Sequence, residues 1–273
     1  PSVVTPTARR RIIQTLNLLN ISSAQILDSN SAVATLYSVE RMKKSKVEGE
    51  NVTENVIFID IGAVQAEVSN WKFERNGGFV KIELLDYRFS DEIGGDYIDN
   101  NIFNYVKSKL PREPTKAEIK VIYQAIVKAK ERLATGIAQK IDLTEDFGIS
   151  IDLSTEIIDE ISKDVLNKLS TLLENITVSE SIELIGGSTR LPSFNKIIQQ
   201  FFPDTPLRRS LNSDEAIAFG ASYYSSIQTG TITGTKIDFI KPSIYGIDFN
   251  YNDKNLVSEK VCICLGYFDG LHL

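Results

Sequence analysis

Histidine is almost missing from this 273-residue chain: His272 is the only one, so Ser-His-Asp and Cys-His nucleophilic catalysis have no material to use. Cysteine is nearly as scarce. Cys262 and Cys264, one residue apart, make neither a disulfide framework nor a zinc site and read as strand residues. No apolar run reaches membrane-spanning length, so no membrane partner is expected. An excess of positive charge is also lacking. The formal net charge is −6, and the short cluster Lys43, Lys44 and Lys46 reads as a solvated loop, which argues against a nucleic-acid partner. Carboxylates are abundant, but their spacing singles out no acid/base pair. The amino end, Pro1-Ser-Val-Val-Thr-Pro6, has neither an initiator methionine nor a signal peptide, and the chain is expected to belong to a longer one.

What the chain does have is material for a core, with 42% hydrophobic residues in a length that suits a bilobed unit or two domains. Residues 9–20 carry Ile12, Ile13, Leu16 and Leu19 at helical spacing. Residues 25–28 read as a short strand, after which Ser29 or Asn30 caps a helix bearing Val33, Leu36 and Tyr37. A polar loop over 41–55 precedes three strands near 56–60, 67–73 and 80–87, the last two joined by Asn76-Gly77-Gly78, a hairpin signal. Helical periodicity follows at Ile98, Ile102, Phe103 and Val106. It resumes beyond Pro111 and Pro114 through Ile119, Ile122, Ile126, Ala129 and Leu133. Strands near 139–143 and 148–151, a helix over 155–174 and a helix over 213–226 complete the pattern. Residues 229–236 are rich in threonine and glycine and read as linker. Residues 243–251 read as the first strand of another domain, and 261–273 as an orphan strand.

Two glycine turns stand out. In Ile182-Glu-Leu-Ile-Gly-Gly-Ser-Thr-Arg-Leu-Pro192 an apolar strand stops at Gly186-Gly187, where backbone without Cβ can approach a flat ligand. Ser188 or Thr189 is placed to cap the helix that follows, whose free N–H groups favour a polar ligand group. The alternative is a βα turn that uses glycine only for chain reversal. In Val56-Ile-Phe-Ile-Asp-Ile-Gly62 the strand ends on Asp60, a carboxylate able to orient Mg²⁺ or its waters beside a phosphate, or else an ordinary hairpin end.

The order of these motifs carries a resemblance. The Asp60-Ile-Gly62 hairpin, Ile93-Gly94-Gly95-Asp96 before a helix, Lys128-Ala-Lys130, the Gly-Gly-Ser-Thr-Arg turn and Asn212-Ser-Asp-Glu-Ala-Ile-Ala-Phe-Gly220 succeed one another. Across about residues 1–240, that series resembles the nucleotide-binding domain of the seventy-kilodalton heat-shock chaperones. The resemblance implies an α/β, actin-like (ribonuclease-H-like) bilobed ATPase fold, incomplete at the amino end. Residues 1–54 would be the remainder of lobe I and 55–228 lobe II, with about 94–152 its upper subdomain. Residues 229–242 would be a linker and 243–273 the start of a β-rich segment. It further implies that Gly186, Gly187, Ser188 and Arg190 line an adenosine pocket, with Lys130 and Asp214 at the nucleoside. Asp60, Gly62, Gly94 and Gly95 would lie near phosphate. The implied cofactors are ATP/ADP and Mg²⁺, the metal held by Asp60 through water.

The pattern also fails in places. The phosphate turn of the family, Asp-Leu-Gly-Gly-Gly-Thr, reads Asp60-Ile-Gly-Ala-Val-Gln65, and forcing Val64 into a left-handed conformation costs roughly 1–2 kcal/mol. Ser29 stands where the family has its catalytic glutamate, and Glu131 and Ala134 stand where relatives have an arginine and a serine beside adenosine. No catalytic residue is therefore assigned beyond Asp60, and efficient hydrolysis is not expected. Asn30, in the place of a proline, resembles the large endoplasmic-reticulum branch, the glucose-regulated, hypoxia-upregulated chaperones. That likeness implies a lumenal holdase and nucleotide exchange factor. Its partners would be a BiP-like seventy-kilodalton chaperone and, through domains downstream, unfolded polypeptides. Asn20, Asn51 and Asn175 begin triplets of glycosylation form. An ATP-hydrolysing foldase and a scaffold that binds nothing are the alternatives.

Overall fold

The computed structural model describes residues 5–21, 24–42, 51–241, 249–251 and 254–256. Its spine is the expected meander: β1 (Val52–Ile61), β2 (Ala66–Asn76) and β3 (Phe79–Ser90) are antiparallel neighbours. Each strand outruns its apolar stretch because polar side chains continue the ladder, Glu74 lying opposite Lys81 at 3.4 Å. Asn76 pairs with Phe79, which leaves Gly77 and Gly78 alone to turn the chain, Gly77 with φ +56°. β6 (Ser181–Ile185) joins β1 in parallel and β7 (Leu207–Arg208) extends that edge, while β8 (Lys236–Ile240) runs parallel to β3 at the other. The sheet order is β7-β6-β1-β2-β3-β8.

Alternation along β1 divides the interior in two. Ile57, Ile59 and Ile61 point into a core built with α3 (Gly95–Lys107), α4 (Lys116–Leu133), α7 (Lys163–Leu173) and α8 (Pro192–Phe201). Val56 and Phe58 point the other way, into a core shared with α2 (Ser29–Glu40) and α9 (Ala216–Gln228), where Tyr37, Phe58 and Phe73 pack as an aromatic cluster. The first core reaches up between α3, α4 and a small hairpin of β4 (Gln139–Leu143) and β5 (Ile149–Leu153), linked by the single turn α5 (Thr144–Phe147). A Thr115–Glu118 capping box starts α4.

Several elements depart from the sequence expectations for identifiable reasons. α1 (Pro6–Leu18) begins earlier than residue 9 because the Thr5 hydroxyl accepts from the Ala8 N–H and Pro6 suits a first turn, and none of its residues is buried. Residues 25–28 form no strand. Asp28 rather than Ser29 or Asn30 is the N-cap of α2, and its carboxylate caps nothing because Arg9 and Lys241 hold it. Opposed by burial, those two cations still keep Asp28 below its ordinary pKa. The helix expected over 155–174 is two, α6 (Thr155–Ile161) and α7, broken at buried Ser162, whose hydroxyl accepts from the Asn101 amide. The expected linker at 229–242 contains β8, which finds its donors and acceptors on the open edge of β3. Of the segment after it, 249–251 is β9 (Phe249–Tyr251), paired with β10 (Lys254–Leu256). Residues 243–248, the strand expected over 261–273 with Cys262, Cys264 and His272, and the lysine cluster at 43–46 lie outside the described residues.

α2 and α9 cross in van der Waals contact at Ala32 and Gly220, where a Cβ on Gly220 would overlap the Ala32 carbonyl. Gly220→Ala is therefore expected to destabilise the fold by about 3 kcal/mol, read as a lower urea midpoint, whereas Ala221→Ser on the exposed side of α9 leaves it unchanged.

Candidate functional site

Parallel pairing brings the ends of β1 and β6 level, Asp60 opposite Ile185, so both glycine turns leave the sheet side by side. A cavity of about 550 Å³ opens there, between those turns and the helices α3 and α4. Ligand sites beyond the carboxyl ends of parallel strands are the general rule for open α/β sheets. Gly62, Gly95, Lys130, Gly187, Ser188, Arg190 and Asp214, all singled out in the sequence, line it together.

Gly94 and Gly186 do not line the cavity; they let its walls close. Gly186 has φ +78°, and a Cβ on it would overlap the Ile61 carbonyl, so only glycine brings the two turns into backbone contact. A Cβ on Gly94 would likewise overlap Ala63. The seam is then tied by hydrogen bonds: the Gly95 N–H donates to Gly62 O (3.0 Å), the Asp96 N–H to Ala63 O (2.8 Å) and the Ser188 hydroxyl to Gly62 O (2.8 Å). Neither Ser188 nor Thr189 caps α8. Residues Gly187–Arg190 form a 3-10 turn, the Thr189 hydroxyl donates back to Gly186 O, and Pro192 opens the helix.

The charged side chains are arranged in pairs. Lys130 Nζ meets Asp99 Oδ2 at 2.6 Å and also donates to Gly95 O at 3.3 Å. Burial holds the Asp99 carboxyl above its ordinary pKa, opposed by Lys130. Arg190 Nη2 donates to Asp214 Oδ2 at 2.9 Å, a half-exposed pair that orients the guanidinium more than it stabilises the fold. Val127, Ala134 and Leu191 give the cavity an apolar wall, and Glu131 and Asp96 add carboxylates.

Asp60 is not in this cavity. It alternates onto the α2 side of β1, in a niche of about 10 Å³ with Asn30, Phe58 and Glu67. Glu67 is its cross-strand partner; the Ser29 hydroxyl donates to both Glu67 oxygens (3.1 and 2.9 Å) and the Gln65 amide to one (3.2 Å). Burial, and then the Glu67 charge, push Asp60 up to about 6. Sequence reasoning missed Glu67 and Asp99. Glu67 was findable, because it mirrors Asp60 across the 62–65 turn and hairpin partners share a face. Among the described residues no cluster of three or more metal-ligating side chains occurs, and no helix is long and apolar enough to cross a membrane. The niche at Asp60 offers no space for a hydrated Mg²⁺.

Residues 1–262 match the family model described as Hsp70 protein. The chain belongs to the Hsp70 family. Its α/β architecture is accordingly the actin-like fold of the Hsp70 nucleotide-binding domain. It is similar to chaperone protein dnaK1 of Synechocystis sp., 25% identical over 96% of this chain and 38% of that protein. It is similar also to heat shock 70 kDa protein 2 of Paracoccidioides lutzii (26% identical, 81% of this chain, 34% of that protein). A third relative is heat shock protein 110 of Caenorhabditis elegans (22% identical, 92% of this chain, 34% of that protein). The chain thus spans between about a third and two-fifths of these relatives' lengths.

The Hsp70 chain should respond to pH through Asp60. Its folded pKa of about 6 exceeds the ordinary 3.8, so between those values the folded state holds a proton that the unfolded state has released. Asp60 therefore favours the fold most at low pH and loses that contribution as pH rises through 6. Asp60→Asn is expected to raise stability at pH 7 by on the order of 2 kcal/mol, with the gain vanishing below about pH 4, in urea titrations across pH.

Proposed function

We propose that this chain is the nucleotide-binding part of an Hsp70-type co-chaperone: it holds a purine nucleotide by its nucleoside, hydrolyses it slowly, and promotes nucleotide exchange on a partner Hsp70 chaperone. The observation that carries the reading is the separation of two halves of the chemistry. A cavity is present on the side read as nucleoside-binding, with Gly187, Ser188, Arg190 and an apolar wall facing one space. The hydrolytic side is replaced: Ser29 supplies a hydroxyl to Glu67 where the family has a glutamate, and Val64 stands half-exposed where the family turn has glycine. Losing groups that act on the transition state removes rate more directly than it removes nucleoside binding.

The exchange and holdase roles are proposed for the whole protein, because the chain spans only between about a third and two-fifths of the relatives it matches. An endoplasmic-reticulum location with a BiP-like partner is the compartment we favour, on the resemblance at Asn30 and on the exposure of Asn20, Asn51 and Asn175. Mg²⁺ enters with the bound nucleotide, with Asp60 as a remote carboxylate. The foldase alternative rests on Asp60 and Glu67, two carboxylates that persist beside the turn.

With the full-length parent, ADP release from a lumenal Hsp70 chaperone is expected to accelerate at least fivefold, measured with a fluorescent nucleotide. Release at the spontaneous rate rejects the exchange role. In single-turnover assays of the same protein, hydrolysis at typical Hsp70 chaperone rates that falls on Asp60→Asn favours the foldase instead. Arg190→Ala, which removes the planar surface over the purine, is expected to weaken nucleotide binding about tenfold by calorimetry.

A further inference from the structure

We infer that Glu131 selects the base, favouring guanine over adenine. The inference rests on the nucleotide reading above and names the purine within it. It follows from which side-chain groups of the cavity are left open to a ligand.

The side-chain donors of the cavity are engaged. Lys130 Nζ is held by Asp99 Oδ2 at 2.6 Å and by Gly95 O at 3.3 Å, and the Ser188 hydroxyl donates to Gly62 O. Arg190 is turned toward Asp214 at 2.9 Å. The acceptors are open. Asp96 and Glu131 line the cavity and, among the described residues, form no ion pair. These two carboxylates sit apart. Asp96 belongs to the seam, where its N–H bonds to Ala63 O at 2.8 Å. Glu131 stands on the α4 wall between Val127 and Ala134, at the spacing that puts all three on one face of a helix. A base lying between that apolar stripe and Leu191 therefore meets the Glu131 carboxylate as the polar group of the α4 wall.

A carboxylate presents two acceptors side by side and no donor. Guanine brings two adjacent donors, its N1–H and its N2 amine, so both oxygens are satisfied. Adenine brings its N6 amine beside the N1 lone pair, so one oxygen gains a hydrogen bond while the other faces an acceptor. A ligand that leaves acceptor against acceptor is discriminated against. Glu131 is exposed, which keeps the discrimination moderate.

The test is calorimetric titration of the full-length parent with GDP, IDP and ADP at one ionic strength. GDP is expected to bind about fivefold or more tightly than ADP. IDP, which keeps the N1–H but lacks the N2 amine, is expected between them. Glu131→Gln, an exposed substitution whose amide matches the donor and acceptor of adenine, is expected to bring the GDP preference down to parity or below. A GDP advantage clearly smaller than that, or a preference for ADP, overturns the inference and leaves the nucleotide reading standing. So does IDP binding as tightly as GDP, or a GDP preference undiminished in Glu131→Gln. Binding of none of the three nucleotides overturns both.

Discussion

Everything at the site depends on the parallel seam between β1 and β6. Because Asp60 stands level with Ile185, the two strands release their turns at one height, and Gly186 at φ +78° lets those turns touch through backbone. A side chain at Gly186 or Gly94 would hold the turns apart and open the floor of the cavity. The walls are then supplied by elements from distant parts of the chain, α4 on one side and the turn ahead of α8 on the other, each fixed by its own burial in the larger core.

The same strand that builds the cavity also divides the chemistry. A β-strand sends successive side chains to opposite faces. Ile61 enters the core beneath the cavity while Asp60 turns to the niche under α2, its carboxylate lying close against Gly186 at the edge of the glycine turn. Glu67 falls on the Asp60 side for the same reason. Burial, and then the charge of Glu67, hold Asp60 well above its ordinary pKa, and the Ser29 hydroxyl is the group that α2 brings to Glu67.

Much of this was legible from the amino-acid order alone. The meander followed from alternating apolar runs and from Asn76-Gly77-Gly78, and seven of the ten nucleotide-site positions expected from the motifs line one cavity. The remaining three lie beside it, Asp60 on the α2 side of β1 and Gly94 and Gly186 behind the walls they let close, because a motif states proximity along the chain and not which face a side chain takes. The caps of α2 and α8 were misread for a related reason. Local hydroxyl preference loses when a distant partner competes: Ser29 is taken by Glu67 and Ser188 by Gly62 O. β8 was taken for linker because its role is set by the edge of β3 and not by its own short apolar pattern.

That edge has a consequence during synthesis. β3 ends at Ser90, but the strand that pairs with its outer side begins at Lys236, and Lys241 beyond it grips Asp28 near the opposite end of the chain. A growing polypeptide therefore carries β3 as a bare edge while well over a hundred further residues are made, and an unpaired edge is a template for any neighbouring strand. Closing the sheet is a late, long-range event in the life of each molecule, and until that strand arrives the outer edge of β3 is open to stray pairing.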